Sequence, residues 1–289
     1  MIGTNVTQGV FHLPVAHGRN NRRATLVLLV ACACVVVGLA LAGWLLWPEA
    51  ISSDLGAKNA APGAGHVFGT DQLGRDLFAR TISGLAIGVA IGCGAAVVSS
   101  VIAVIVGVAA GLGGRRVDAF LAWLIDLMLS IPHLLALILV AFALGKGIVG
   151  VSVGIALTHW PSLARVIRAE VMQVRSSRYV AVSRQLGATR LQVFTRHVVR
   201  AVFPQFLVGV VLMFPHVILH EAAVTFLGFG LAPETPSIGI ILAEASRQIA
   251  VGNWWQAVLP GCALIAFIVL IDATGTRLRV MLDPQQSQK

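Results

Sequence analysis

Six times along this chain, apolar residues continue for the roughly 20 positions that a helix needs to cross a hydrocarbon core. The runs cover 25–47, 84–111, 118–144, 148–171, 202–229 and 255–281. Strands of a membrane barrel would alternate apolar and polar over about ten residues, and these runs are about twice that length without alternating. The pattern predicts an all-α polytopic membrane protein with six transmembrane helices. The fourth run is the least uniform, because His159, Arg165, Arg168 and Glu170 make its second half polar. That half is expected to emerge into the cytoplasm.

Composition supports a bilayer as the solvent. Charged residues make up 11% of the chain and apolar residues 57%, far from the averages of soluble domains. The net charge of +9 would raise nucleic acid as a partner in a soluble domain. Here the arginines stand between apolar runs, so orientation in the membrane accounts for them and no nucleic-acid partner is expected. With the N-terminus inside, the cytoplasmic face receives Arg19, Arg22, Arg23, Arg115, Arg116, the series from Arg165 to Arg200, Arg277, Arg279 and Lys289. The outer face receives Lys58, Arg75, Arg80, Lys146 and Arg247. Both ends are therefore expected in the cytoplasm (N-in/C-in).

The layout that follows has a cytoplasmic tail at 1–24, an anchor helix at 25–47, an outer loop at 48–83, a five-helix core at 84–284 and a tail at 285–289. The first run exceeds a signal-peptide core and ends in Trp44-Leu-Leu-Trp47-Pro48, not in a small-residue cleavage site. It reads as a retained anchor with interfacial tryptophans. Cys32, Cys34, Cys93 and Cys262 all lie in apolar runs without metal-site spacing and read as small buried hydrophobes. Gly84, Gly88 and Gly92 repeat every fourth residue, as do Gly107 and Gly111. Such stripes either let helix backbones approach closely or are glycine-rich without a specific interface.

Between the fourth and fifth runs lies a basic cytoplasmic loop, 175–200. Tyr179, Val182 and Leu186 recur at helical spacing, and Leu191, Phe194 and Val198 do so after Gly187. Two short amphipathic helices joined at Gly187 are predicted, with arginines on much of the other face. Glycine costs about 1 kcal/mol inside a helix but gives a turn its backbone freedom. The residues alone leave two partners open: anionic lipid, which polybasic segments attract, or a cytoplasmic protein.

Candidate chemistry is sparse. Gly150-Val-Ser152-Val-Gly154 fits a serine-hydrolase elbow, but it opens an apolar helix where a strand-to-turn context is needed. His220-Glu221 begins a zinc motif, yet Val224 stands where the second histidine belongs. His216 and His220 have i,i+4 spacing, which fits either a metal-contacting pair on a conduction path or structural hydrogen bonds. Asp126 and Glu221 are ionisable groups inside spans, where a charge at mid-bilayer costs about 2.5–3.5 kcal/mol on the most lenient scale. They are expected to face the bundle interior or an aqueous cavity and to lock helices or gate a pathway. His133 follows Pro132, whose ring kinks a helix. No metal ligand set is expected from these spacings. No Gly-x4-Gly-Lys-Ser/Thr loop is present, so nucleotide would be handled by another chain.

The loop resembles the signature of permease subunits of ABC importers: Glu-Ala-Ala, three residues, Gly, nine residues, then Ile-x-Leu-Pro. Here it reads Ala181-Val182-Ser183, then Gly187, then His197-Val198-Val199-Arg200. Ala181 takes the place of the signature glutamate and Arg200 that of the final proline. The surrounding Arg178-Tyr-Val-x-x-x-Arg184-x-Leu-Gly-Ala remains typical. Further blocks are similar to the dipeptide, oligopeptide and nickel branch, and to the second, C-type permease of its pair. These are Phe68-Gly-Thr-Asp71 through Arg80, Asp126 with Leu129-Ser-Ile-Pro132, Glu221 with Thr225 to Gly230, Pro233-x-x-Pro236-Ser, and Leu278-Arg279 with Leu282-Asp283-Pro284. They occur in order and cover most of 66–284.

The resemblance implies a type I ABC importer permease fold in the bacterial cytoplasmic membrane, non-catalytic itself. Expected partners are membrane lipid, a second homologous permease, two cytoplasmic ABC ATPases and an extracytoplasmic substrate-binding protein. No cofactor is expected on this chain, with ATP and Mg used by the ATPases. Arg178, Tyr179, Val180, Ala181, Val182, Ser183, Arg184, Leu186 and Gly187 are expected to couple to an ATPase. Asp126, Pro132, His216, His220 and Glu221 are expected at the pathway or its gate. Peptides are the expected cargo, with nickel or a metal chelate as the alternative, and a membrane-embedded hydrolase using Ser152 or the His216/His220 pair is the competing class.

Overall fold

The computed structural model describes residues 22–282. Arg19, Lys289, residues 1–21 of the N-terminal tail, the tail at 285–289 and the Asp283-Pro284 end of the last matched block lie outside the described residues. The chain folds as helices α1 (Arg22–Leu45), α2 (Trp47–Ile51), α3 (Leu77–Leu112), α4 (Arg115–Ser130), α5 (His133–Ala143) and α6 (Ile148–Thr158). These are followed by α7 (Trp160–Ser176), α8 (Arg178–Gln185), α9 (Arg190–Val193), α10 (Val199–Phe226), α11 (Ile238–Ser246) and α12 (Trp255–Leu282).

Among the described residues four helical stretches are long and apolar enough to span a membrane: Arg23–Leu45, Leu77–Leu112, Arg190–Phe226 and Trp255–Leu282. A fifth arises if α4 and α5 count as one span, although they meet at 92°. The expected third span, 118–144, is therefore not one straight helix. The residue before a proline is pushed out of the helical region, and Ile131 is extended (φ −80°, ψ 131°) ahead of Pro132. The expected fourth span, 148–171, is likewise divided into α6 and α7. Pro161 sits in the first turn of α7, where its missing N–H goes unmissed, and His159 forms the joint. The second span begins at Leu77, seven residues before the expected Gly84, because Asp76 caps it by accepting from the Ala79 N–H at 2.8 Å.

α3 is the post around which the rest is arranged. It packs against α7, α10, α1 and α6, and Ala96, Ala103 and Ala110 are fully buried along it. The glycine stripes are packing surfaces. A Cβ on Gly107 would lie 2.7 Å from the Ala164 carbonyl oxygen, and one on Gly111 would lie 2.6 Å from the Val171 side chain. Gly92 faces Phe214 of α10 in the same way, and Gly84 meets the backbone at Ser237. The reading of these stripes as glycine without a specific interface is set aside. The anchor helix α1 is also docked, with the Ser83 hydroxyl donating to the Gly43 carbonyl at 3.1 Å. Of the cysteines, only Cys32 is buried; Cys34, Cys93 and Cys262 are exposed on helix surfaces, contrary to expectation, and all four are free thiols.

Overpacking a close helix crossing costs about 1–3 kcal/mol, and more where backbone must move. Gly107→Leu and Gly111→Leu are each expected to lower the unfolding temperature of the purified chain markedly. Gly94→Leu, at a position with open space around its Cα, is expected to leave it unchanged.

Candidate functional site

The loop after α7 forms the predicted pair of short helices, and its apolar residues divide between two environments. On α8, Val180 is fully buried in the main core, whereas Tyr179, Val182 and Leu186 are exposed, Leu186 by 83%. Arg178, Ala181 and Arg184 are exposed beside them and Ser183 is half-buried. One side chain thus pins α8 to the body while three apolar groups and two arginines stay exposed. Gly187 makes the turn with φ +89°, a left-handed conformation that glycine adopts without strain. Beyond it Thr189 and Gln192 form a capping box that opens α9. One wide π turn, Phe194–Val198, then leads into α10. Leu191, Phe194 and Val198 do not share a face: Leu191 is 70% exposed and Val198 is buried.

α8 is braced on both sides. His197 in the π turn lies 3.2 Å from the Ser183 hydroxyl, and its ring sits 5.3 Å from that of Tyr179. Arg175, at the end of α7, donates to the carbonyls of Gly111 and Gly113 at the end of α3. Two turns further up α7 than Arg175, Arg168 grips both carboxylate oxygens of Asp118 at 2.5 and 2.9 Å. Such bidentate contacts fix orientation as well as distance.

The remaining expected site residues are dispersed. Asp126 does not face the interior. Its side chain is 68% exposed and pairs with a likewise exposed Arg165 at 2.6 Å. Pro132 is exposed at the α4–α5 break. Glu221 is buried and accepts from the Thr225 hydroxyl at 3.1 Å, beside Gly88. It lies between α10 and α3. Thr225 also accepts from the Leu231 N–H, which ties the loop after α10 to the same spot.

His216 and His220 do not form a pair of ligands. His216 offers its backbone carbonyl to His220 Nδ1 at 2.6 Å. The His220 ring turns instead toward His133 and His159, at centroid distances of 4.6 and 5.0 Å. The three rings stand on the wall of a cavity of about 500 Å3, which Gln205, His216 and Arg279 also line. Ser152 lies inside α6, not at a strand-to-helix turn, so the hydrolase elbow is absent there.

At the opposite end of α3 the block 68–80 carries a charge network that the sequence reading missed. Asp71 accepts from Arg75 at 2.6 Å and also from Arg80; both arginines then reach Glu244 of α11, at 2.9 and 2.7 Å. Arg80 is 1% exposed. Two cations and two anions balance, which is what allows charge to be buried here. Gln256 of α12 joins the same cap through Asn59 and the Thr70 carbonyl. The segments 48–82 and 231–253 therefore form one structure. Nothing in the sequence linked Glu244 to Arg75, which it follows by 169 positions.

These features define a helical membrane body with a braced, outward-facing helix on one loop. Residues 103–287 match the family model described as binding-protein-dependent transport system inner membrane component. The chain belongs to that family. It is an inner-membrane permease component and non-catalytic, so the transport reading replaces the hydrolase one. The chain is similar to a putative peptide permease protein of Brucella suis, with 36% identity over 94% of this chain and 91% of the relative. A putative peptide transport system permease protein of the same organism is 33% identical over 91% and 88%. The dipeptide transport system permease protein DppC of Bacillus subtilis is 31% identical over 86% and 78%.

Removing one member of a buried charge network costs about 3–5 kcal/mol, because its partners remain buried and uncompensated. Glu244→Ala is expected to destabilise the permease by an amount of that order in thermal unfolding. The exposed pair formed by Asp126 should be worth about 0–1 kcal/mol, so Asp126→Ala is expected to have little effect in the same assay.

Proposed function

We propose that this chain is one of two permeases in an ATP-driven importer of peptides, and that α8 is the helix through which ATPase movement enters the membrane. The supporting observation is the divided helix itself. Val180 anchors it in the core, while Tyr179, Val182 and Leu186 present an apolar face that folding leaves uncovered. Burying a leucine-sized side chain gains about 1.5–3 kcal/mol, so a grooved partner can hold such a face firmly. The arginines around it favour a groove with acidic lining. A lipid surface would also attract those arginines, but it would not call for a Val180 anchor and a histidine brace that hold the apolar face at a fixed angle.

In this reading the chain crosses the membrane six times, with both ends inside. The bent pair α4–α5 and the divided pair α6–α7 make up the third and fourth crossings. The body has the type I importer permease fold, and a second, homologous permease completes the pathway. Two cytoplasmic ATPases below consume ATP with Mg. ATP-driven closure of the ATPases pulls α8 inward, and α7 and α3 carry that displacement as a rigid body. The equilibrium shifts between inward-open and outward-open states by as much as the ATPases bind them differently. The cap built from 48–82 and 231–253 meets the substrate-binding protein. The cavity beside α10 is this chain's share of the pathway. Peptide cargo is supported by the names of the three relatives described above, which are peptide or dipeptide permeases.

Leu186→Asp places a charge in the centre of the docking face. It should cost about 2 kcal/mol or more, roughly 30-fold in affinity, and release the ATPases on purification while insertion and permease yield stay normal. Retained ATPases with unchanged substrate-stimulated ATP hydrolysis would overturn the docking role. Ala181→Glu, which restores the signature acid at an exposed position, is expected to leave assembly intact when the same co-purification is measured.

A further inference from the structure

Three histidines from different parts of the chain meet on the cavity wall. His133 opens α5 after the Pro132 break, His159 is the joint between α6 and α7, and His220 lies on α10. One ring nitrogen from each lies within 4.8 Å of the other two. The hydrogen bonds around them settle which nitrogens are available. His159 Nδ1 lies 3.0 Å from the Ile155 carbonyl, and His220 Nδ1 lies 2.6 Å from the His216 carbonyl. A carbonyl only accepts, so both Nδ1 atoms carry the proton. Both Nε2 atoms are left with lone pairs. His133 Nε2, 3.2 Å from His159 Nε2, can satisfy at most one of them with a proton. The cluster therefore has more lone pairs than hydrogens to fill them.

A carbonyl holding Nδ1–H while Nε2 points elsewhere is the outer-shell arrangement that fixes a histidine as a metal ligand. The spacing of one pair fits as well. Metal–nitrogen bonds of about 2.0–2.1 Å at tetrahedral angles put ligand nitrogens about 3.3 Å apart, and His133 and His159 stand at 3.2 Å. Among the described residues no carboxylate lines the cavity, and an all-imidazole set suits zinc, copper or nickel and not magnesium or calcium.

We propose that His133, His159 and His220 form a binding site for a divalent first-row transition-metal ion, with its fourth coordination position open to the cavity. Three protein ligands and one open position is the pattern of sites that exchange a fourth ligand. His133 carries a proton on Nε2 when it donates to His159, and it gives that proton up to Nδ1 when the ion binds. The fourth ligand is water or a nitrogen or oxygen donor of the cargo. That last role rests on the transport reading; the site itself does not.

The test uses the full chain with its ATPases in lipid nanodiscs, purified without a polyhistidine tag and titrated with Co2+. One equivalent should bind with the intense visible bands of four-coordinate Co2+, and Zn2+ should erase them. His159→Gln and His220→Gln should each weaken binding by at least about 100-fold, since even outer-shell changes cost about 10–100-fold. His216→Ala keeps its backbone carbonyl and should bind normally. If His159→Gln does not assemble, the less buried His133→Gln serves in its place. No saturable Co2+ spectrum, or one that survives replacement of all three histidines, would overturn the site. Leu186→Asp protein should bind Co2+ unchanged. Failure of metal binding in complexes that retain ATPase therefore refutes this inference alone, and retention of ATPase by Leu186→Asp refutes the docking role alone.

Discussion

The rest of the structure depends on the close approach of α3 and α7. At Gly107 and Gly111 α3 puts no side chain between the two helices, so the Ala164 carbonyl and the Val171 side chain of α7 lie directly on its backbone. Lipid supplies no hydrophobic drive for helices to associate, so dispersion between tightly apposed backbones and a few polar contacts must hold them. The polar contacts are in place at the C-terminal end of α3, where Arg175 bonds to its last carbonyls and Arg168 grips Asp118. α8 hangs from the end of α7 by Val180. Force applied to Leu186 therefore has a stiff path into a helix of 36 residues, about 54 Å long. At its far end that helix is capped by Asp76 and clasped by the Arg75–Arg80–Asp71–Glu244 network. One post joins α8 at one end to the cap of 48–82 and 231–253 at the other.

Between those two rigid ends the fold is deliberately discontinuous. Pro132 and Pro161 divide what would otherwise be two long helices, and each division swings a histidine toward the cavity. Irregular backbone at membrane depth is tolerated where protein or an aqueous cavity covers it. Both breaks satisfy that condition, since the same cavity borders His133 and His159. The π turn ahead of α10 is a third irregularity, and it is the one that carries His197 against α8. Local irregularities thus occur where the helices must orient side chains, while the α3–α7 contact stays regular.

Much of this was legible in the sequence, and the reasons for the rest are physical. Run length fixed the helical class, and the spacing of Tyr179, Val182 and Leu186 marked the loop helix together with its outward face. The spacing could not say that Val180 would be the buried residue, because Val180 and Val182 are equally apolar and only the position of α7 separates them. Proline alone did not decide where helices break: Pro204, Pro215 and Pro260 lie inside continuous helices. Asp126 was expected to face the bundle interior or an aqueous cavity, and its side chain is exposed and paired with Arg165. The histidine cluster and the role of Glu244 have no local signature at all. Their members meet only through tertiary packing across long stretches of chain.

The account turns on α8 being a cytoplasmic helix held by a partner, and position 186 reports on that directly. Leu186→Cys, on a background with Cys32, Cys34, Cys93 and Cys262 replaced by serine, can be challenged with a membrane-impermeant maleimide in oriented vesicles. Labelling is expected only from the cytoplasmic side, and it is expected to be suppressed when the ATPases are bound. Labelling from the outer side, or equal labelling with and without the ATPases, would contradict the account.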